Sequence, residues 1–347
     1  MTCSISLLLV GKHLHRINKE ISVHSFIHMY ALLNELAGPI LLSYLNSLQR
    51  FLPRYICDRL VILAKGMQGS TKTYCIIGDP IHHSLSPAMQ NAAFAAKGLN
   101  SSYIAFRVPQ ADLKESIESL RSINIAGFNV TTPHKTNVMR YLDEVESAAK
   151  KAGAVNTVNN IEGIFRGYNT DIYGFIEPLR KRQVDFQGMH VLLLGSGGAA
   201  RAVVAALAEE NGIAKLVIAN RDMQRANELA NLGDTLGMKC QVVPLDRAQD
   251  YSPSCDLIVN ATTLGMNNES SLIDYQHIQK GSIIYDIVYR PLVTDLIEHA
   301  KYAQASVVYG YEMLIEQGAK AFEIWTGLSA PRDAMKRNLF GIFGEPI

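Results

Sequence analysis

In the run Val191-Leu192-Leu193-Leu194-Gly195-Ser196-Gly197-Gly198-Ala199-Ala200-Arg201, the small residues Gly195, Gly197 and Ala200 fall at the spacing G-x-G-x-x-A. Between an apolar strand and a helix, that spacing suits a bound pyrophosphate. The first glycine permits a tight turn, the second lets a phosphate approach the backbone, and the third small residue lets the helix pack on the strand. The N–H groups that open the helix, from Ser196 through Gly198 and Ala199, then face the anion. Glycine serves many turns for steric reasons alone. Here the strand before the turn, the helix after it and a second strand at Leu216–Ala219 point to a dinucleotide. That second strand ends Ala219-Asn220-Arg221-Asp222, with Arg225 one turn further on. A guanidinium at this place pairs with a 2′-phosphate and stacks on adenine, where an NAD site carries a carboxylate for the ribose. Arg221 and Arg225 therefore favour NADP. Asp222 repels such a phosphate unless it caps the following helix.

A second set of polar residues precedes this loop. The segment Gly78-Asp79-Pro80-Ile81-His82-His83-Ser84-Leu85-Ser86-Pro87 offers two hydroxyls, Ser84 and Ser86, just before a helix. They suit a small polar ligand; alternatively, Ser86 before Pro87 is a helix cap. Downstream come Asn129-Val130-Thr131-Thr132-Pro133-His134-Lys135, Gly153-Ala154-Val155-Asn156-Thr157 and Gly167-Tyr168-Asn169-Thr170-Asp171. The serine loop and the Lys135 segment follow β-rich runs, the place where open parallel sheets bind ligands. Asp171 also stands where a cap for the next helix is expected.

The elements that must hold these residues are legible from Thr73 onward. Tyr74–Gly78, Tyr103–Val108 and Gly127–Val130 read as strands, with Pro87–Lys97 and Pro109–Arg121 as helices between them. Ala154–Asn160 and Gly163–Tyr168, joined by Ile161-Glu162, read as a hairpin, and a helix from Ile172 to Lys181 leads out. A second series has strands at Val191–Leu194, Leu216–Ala219, Gln241–Val243, Leu257–Ala261, Ile283–Val288 and Val307–Tyr309, and Tyr311–Phe343 reads as two helices separated by Gly327 and Pro331. Strands alternating with helices predict an α/β fold with mostly parallel sheets.

The 347 residues suffice for two domains, and 48% hydrophobic with 19% charged residues is the balance of a globular chain. A formal net charge of +1 gives no basis for nucleic acid or an acidic membrane as partner. Residues 1–66 stand apart: seven Lys/Arg against three Asp/Glu, four of the ten histidines, and no strand rhythm. Either a helical extension precedes the α/β part, or the protein begins at Met67, six residues before Thr73. Cys3, Cys57, Cys75, Cys240 and Cys255 form no close pair, so no metal site and no disulfide framework is expected, and reduced thiols fit the cytoplasm. The most apolar stretch, Phe26–Leu48, is interrupted by Asn34, Glu35, Gly38-Pro39 and Asn46 and is a poor membrane span. The apolar run Ile5–Val10 has no positive residue before it and is a poor secretory signal.

With these motifs the chain resembles the shikimate dehydrogenases, NADP enzymes that reduce 3-dehydroshikimate in chorismate and aromatic amino-acid biosynthesis. The resemblance runs over residues 73–343. It includes the serine loop, the Asn129 to Lys135 stretch, Ala154-Val155-Asn156-Thr157, Asn169-Thr170-Asp171, the Gly195 loop, Asn220-Arg221, Asn260-Ala261-Thr262 with Gly265-Met266, Asp286-Ile287-Val288-Tyr289, and Met313-Leu314 followed by Gln317. It implies a substrate-binding domain over 71–177, a Rossmann NADP-binding domain over 178–310, helices over 311–347 that pack back on the substrate domain, and an unassigned segment over 1–70. It implies that Ser84 and Ser86 hold the substrate carboxylate with Tyr289 nearby, and that Thr131, Lys135, Asn156, Asp171 and Gln317 bind ring hydroxyls. Lys135 and Asp171 become the catalytic pair, Thr262 belongs to the cofactor site, and Gly310 and Met313 lie against the nicotinamide. Asp222 departs from the family, which often has a contacting Thr there, and this softens the selectivity for NADP. His82, His83 and His134 flank the motifs and receive no proton-transfer role.

The residue types agree with that chemistry. Hydride transfer to a ketone develops negative charge on oxygen, which a lysine in hydrogen-bond reach stabilises and protonates. An adjacent carboxylate orients the ammonium and opposes its deprotonation, so either group can be the formal acid–base. Two alternatives stand beside this reading. One is a quinate/shikimate dehydrogenase that also accepts NAD. The other is a non-catalytic NADP-binding regulator, which would lack Lys135 or Asp171. The expected partner is a small-molecule substrate, and a homodimer is compatible with the sequence.

Overall fold

The computed structural model describes residues 68–344. The two readings of the N-terminal segment, a helical extension or a start at Met67, lie outside the described residues. The first sheet contains β1 (Lys72–Gly78), β2 (Ser101–Arg107), β3 (Gly127–Val130), β4 (Glu144–Val145), β5 (Thr157–Ile161) and β6 (Ile164–Tyr168) in the order β2-β1-β3-β5-β6-β4. Helices α1 (Ser86–Ala96) and α2 (Leu113–Ser122) make the crossovers among parallel β1, β2 and β3, and α3 (Ser147–Ala152) follows β4. A 3-10 turn at Gln110–Asp112 precedes α2, so the Pro109–Arg121 stretch is divided in two. The hairpin β5–β6 lies antiparallel to β3, and short β4 pairs parallel to β6. Its turn residues are Glu162 (φ 54°) and Gly163 (φ 92°), one position later than Ile161-Glu162. Two successive positive φ values match the strand twist of a tight hairpin. Asn160 Oδ1 accepts the Gly163 N–H at 2.8 Å and holds the turn.

Helix α4 (Thr170–Lys181) leads to the second sheet, whose strands β7 (His190–Leu194), β8 (Lys215–Asn220), β9 (Cys240–Pro244), β10 (Leu257–Asn260), β11 (Ile283–Asp286) and β12 (Ser306–Tyr309) run in the order β12-β11-β10-β7-β8-β9. Every pairing is parallel. The connecting helices are α5 (Gly198–Glu209), α6 (Met223–Thr235), α7 (Ala248–Tyr251) and α8 (Asp295–Tyr302), and the chain closes with α9 (Gly310–Thr326) and α10 (Arg332–Phe343). This is the doubly wound arrangement, and its strand order reverses between β7 and β10, where a crevice opens at the carboxyl ends.

Burial follows the pleat. In β1, Tyr74 and Ile76 face a core shared with Phe94, Phe322, Trp325, Met335 and Leu339, while Cys75 and Ile77 face Leu113, Ile117 and Phe128 on the other side. Both faces are covered, so the strand reads as a continuous apolar run. Helices α9 and α10 thus complete the core of the first sheet. Trp325 Nε1 donates to the Val158 carbonyl at 2.9 Å, and it fits because residue 127 is glycine: a Cβ there would come within 2.6 Å of Nε1.

Helix α4 packs along α9. Pro178 has no N–H for the Gly174 carbonyl, and the Tyr285 hydroxyl from β11 reaches that oxygen at 3.4 Å. Buried Glu316 of α9 binds Lys181 of α4 and also Arg332 of α10, the latter at 2.8 Å. Arg332 reaches Glu323 at 2.9 Å. One carboxylate therefore links three helices that carry or flank the cleft.

Candidate active site

Lys135 emerges from the turn after β3. His134, fully buried, donates from Nε2 to the Val108 carbonyl at 2.7 Å. The Lys135 carbonyl accepts the Val155 N–H at 2.7 Å. The backbone is thereby held on both sides of the lysine. Across from it, Asn169 caps α4: its side chain accepts the Asp171 N–H at 3.1 Å and donates to the Ala154 carbonyl at 2.9 Å. Asp171 is therefore not the cap but sits in the first turn, where the helix terminus favours negative charge. Its carboxylate meets the lysine, with Nζ to Oδ2 at 2.7 Å and side chains 16% and 7% exposed. An ion pair so withdrawn from water is held in one geometry, and loss of either member leaves an uncompensated charge.

A hydrogen-bonded floor runs beneath this pair. Asn156 donates from Nδ2 to Thr170 Oγ1 at 3.0 Å, while its Oδ1 accepts the Thr170 N–H at 2.7 Å and the Thr157 hydroxyl at 3.0 Å. Asn129 donates to Thr157 Oγ1 at 2.9 Å and to the Asn156 carbonyl at 3.0 Å. Tyr103 donates its hydroxyl to Asn129 Oδ1. Burial pushes the Tyr103 phenol well above its ordinary range. Ser86 is the first residue of α1, whose cap position is Leu85 without a side-chain bond, so the capping alternative for Ser86 is not realised. Ser84 Oγ instead accepts the Ser86 N–H at 3.3 Å. Thr131 is packed against Gly78, where a Cβ would run into its methyl. The network thus connects Tyr103 of β2, Asn129 of β3, Asn156 and the helix that carries Asp171.

The second lobe closes on the same place. Gly195 adopts φ 102° against Ala261 and Thr262, as a tight turn requires. Gly197 stands at the cap position of α5 with no side-chain cap, and a Cβ on it would meet nothing within 4 Å. Ser196, Gly198 and Ala199 are partly buried, while Ala200 is fully buried. Uncapped N–H groups beside open space are what a phosphate needs, so the loop fits a dinucleotide. Gly310 lies against the Ile287 and Val288 carbonyls with no room for a Cβ, and Met313 is buried one turn later. Gln317 donates to the Leu314 carbonyl at 2.9 Å and crosses α4 at Gly174, one turn from Asp171. Tyr289 packs against the core of the first sheet, and burial raises its phenol.

At the end of β8, Asp222 does cap α6, its Oδ1 accepting the Arg225 N–H at 3.1 Å. Asn220 donates to the Asp222 carbonyl at 2.8 Å. The Arg225 guanidinium turns back on Asp222 at 3.4 Å, away from the free role expected of it. Arg221 is exposed and has no ion pair among the described residues.

A buried carboxylate that motif reading left without a role orders the rear of the crevice. Asp286 accepts from Asn260 Nδ2 at 2.9 Å, from the Val288 N–H at 3.0 Å and from the Thr294 hydroxyl. Asn260 Oδ1 in turn accepts the Thr262 hydroxyl at 2.6 Å. Burial pushes Asp286 up to about 6 despite these three donors. In the adjoining loop Glu269 accepts from Asn267 and from the Gly265 N–H, which lowers its carboxyl to about 2. Among the described residues no helix is long and apolar enough to cross a membrane, and no group of three or more His, Cys, Asp or Glu side chains is placed to hold a metal.

A doubly wound nucleotide lobe facing a lysine–carboxylate pair on a second α/β lobe defines a dinucleotide-dependent dehydrogenase. Residues 76–158 match the family model for the shikimate dehydrogenase substrate binding domain, 178–289 that for shikimate/quinate 5-dehydrogenase, and 310–340 that for the shikimate 5′-dehydrogenase C-terminal domain. A shikimate dehydrogenase (NADP+) of Nitrosopumilus maritimus (strain SCM1) is 46% identical over 272 residues, 78% of this chain and 99% of the relative. A Listeria monocytogenes shikimate 5-dehydrogenase, solved with shikimate and NAD, superposes with TM-score 0.73 at 35% identity over 79% of this chain and 98% of that one. The Thermus thermophilus shikimate 5-dehydrogenase, solved with NADP(H) and shikimate, gives TM-score 0.69 at 36% identity over 77% and 98%. The chain belongs to the shikimate dehydrogenase family.

Proposed function

We propose that this protein catalyses the reversible NADPH-dependent reduction of 3-dehydroshikimate to shikimate. The observation that carries the reading is the 2.7 Å Lys135–Asp171 pair set against the dinucleotide turn. NADPH, when bound, supplies the hydride. The Gly195–Ala200 turn and Thr262 hold its phosphates and neighbouring groups, Asn220 and Arg221 its adenosine end, with Arg225 joining them only when it leaves Asp222, and Gly310 and Met313 flank its nicotinamide. Ser84 and Ser86 take the substrate carboxylate with Tyr289, while Thr131, Asn156 and Gln317 take ring hydroxyls. Asn156 is already committed on both ends of its amide, which leaves one Nδ2 hydrogen for the substrate. Lys135 Nζ binds the carbonyl oxygen and protonates it as charge develops there. Asp171 Oδ2 holds the ammonium in place and receives a ring hydroxyl.

The test is turnover of the full chain with shikimate and with quinate, each with NADP and with NAD. Shikimate with NADP is expected to give the highest kcat/KM; no turnover with either substrate refutes the assignment. Lys135→Ala should lower kcat by about 10³-fold or more, since it removes both the proton donor and the charge on the reacting oxygen. A rate within a few-fold of the parent refutes the catalytic role. A cytoplasmic homodimer is part of the same reading. Among the described residues β2 is an edge strand with Ile104 and Phe106 exposed, which supports the dimer, and sedimentation of the full chain measures it.

A further inference from the structure

The pattern G-x-G-x-x-A accounts for Gly195, Gly197 and Ala200 but leaves residue 198 free. Glycine has a lower helix propensity than alanine, so its presence at residue 198 calls for a local reason. The neighbours of Gly197 and Gly198 differ sharply. A Cβ on Gly197 would point into open space, where the cofactor phosphates belong. A Cβ on Gly198 would come within 2.9 Å of Lys135 Cδ, 3.3 Å of its Cβ and 3.6 Å of its Cγ. The lysine stem of one lobe lies flat on residue 198 of the other.

We propose that Gly198 is a positioning residue for Lys135: its missing side chain is the clearance through which the lysine stem reaches Asp171. The proposal rests on the functional reading above and deepens it. The stem cannot yield by moving its backbone. His134 is pinned to the Val108 carbonyl at 2.7 Å, and the Lys135 carbonyl to the Val155 N–H at 2.7 Å. An added methyl group must therefore be relieved by rotation of the lysine side chain, and that rotation draws Nζ off Asp171 Oδ2. The backbone itself tolerates alanine, because Gly198 does not adopt a positive φ. Two adjacent glycines thus do different work: Gly197 admits the cofactor, and Gly198 admits the lysine.

The experiment compares G198A and G197A in the full chain. For each variant, NADP+ affinity is measured by titration calorimetry, kcat and KM for shikimate by absorbance, and the structure by crystallography. G198A should keep NADP+ affinity within about twofold while kcat falls about 10- to 100-fold, the size expected when a reacting group is displaced by under an ångström or so. G197A should show the reverse, weakened NADP+ binding with the smaller effect on kcat at saturation. In crystals of G198A the Lys135 stem should be displaced and the 2.7 Å pair lengthened. A G198A enzyme with kcat within threefold of the parent, a loss confined to NADP+ affinity, or an unmoved lysine stem overturns the proposal. If the parent protein itself turns over neither substrate, the functional reading fails, and the crystallographic arm still decides the clearance.

Discussion

Replacing Asp286 by asparagine changes a single atom type in a site that is fully buried, and it isolates the effect of one charge on the nucleotide lobe. The carboxyl is held at about 6, above its ordinary 3.8, because burial penalises the charged form more than Asn260, Val288 and Thr294 stabilise it. None of these partners titrates. A carboxyl with a raised folded-state value binds its proton more tightly when folded than when unfolded. Its charged form therefore weakens the fold above about pH 6, and the weakening disappears as pH falls through 6 toward 4. A shift of about two units at about 1.36 kcal/mol each corresponds to about 3 kcal/mol at neutral pH. Asp286→Asn removes that dependence. Denaturant unfolding of both proteins, followed by circular dichroism from about pH 7 down to pH 4, gives two stability curves whose difference cancels every other titrating group. The parent should gain about 2 kcal/mol relative to the variant over that range, because pH 4 still lies at the unfolded value. Curves that run parallel within about 0.5 kcal/mol would show that burial does not raise the Asp286 carboxyl, and the account of the loop network would be wrong.

The adenosine end makes two further predictions. Arg221→Ala should raise KM for NADP by about 10- to 100-fold, the equivalent of losing charge-assisted hydrogen bonds of about 1.5–3 kcal/mol. It should leave KM for NAD within twofold, and equal losses with both cofactors would remove Arg221 from the 2′-phosphate site. Asp222→Ser keeps a helix-capping oxygen while releasing Arg225 and deleting the opposing charge, so the ratio of kcat/KM for NADP over NAD should rise by about threefold or more. An unchanged ratio would mean that the Asp222–Arg225 pair has no part in cofactor choice.

The parts of this protein that were legible in its sequence are those set by short-range pattern. Val191–Leu194 and Leu257–Asn260 read as buried parallel strands because both faces are covered and every position is apolar or nearly so. Gly195, Gly197 and Ala200 announce the turn because each has a steric task that few other residues can perform. What stayed hidden depends on partners far apart in the chain. Both Asn169 and Asp171 are good cap residues, and only the position of Lys135, 36 residues earlier, shows why the asparagine caps while the aspartate does not. Tyr103 looks like an ordinary strand aromatic. Its strand pairs with β1, whose other neighbour carries Asn129, and that topology alone brings the two side chains together. Arg225 follows Asp222 at a spacing that suits an ion pair as well as a phosphate, and the structure favours the pair.

The same contrast explains how the cleft is built. A dehydrogenase of this kind must bring a proton-donating group from one lobe to a cofactor held by the other, and the reacting geometry tolerates little error. Precision on each side comes from buried polar groups with every partner inside the same lobe: the Asn129–Thr157–Asn156–Thr170 floor under Asp171, and the Asn260–Asp286–Thr294 network behind Thr262. Beside the apolar packing around Phe175 and Tyr285, two close approaches between the lobes pass over glycines, at Gly198 against Lys135 and at Gly153 against Arg201, whose Nη1 lies 3.0 Å from where a Cβ would be. Rigid networks fix each half, and bare backbone lets the halves approach. That division predicts where substitutions will act. Changes in the networks should alter stability together with rate, whereas small additions at the glycines between the lobes should alter rate with stability nearly intact.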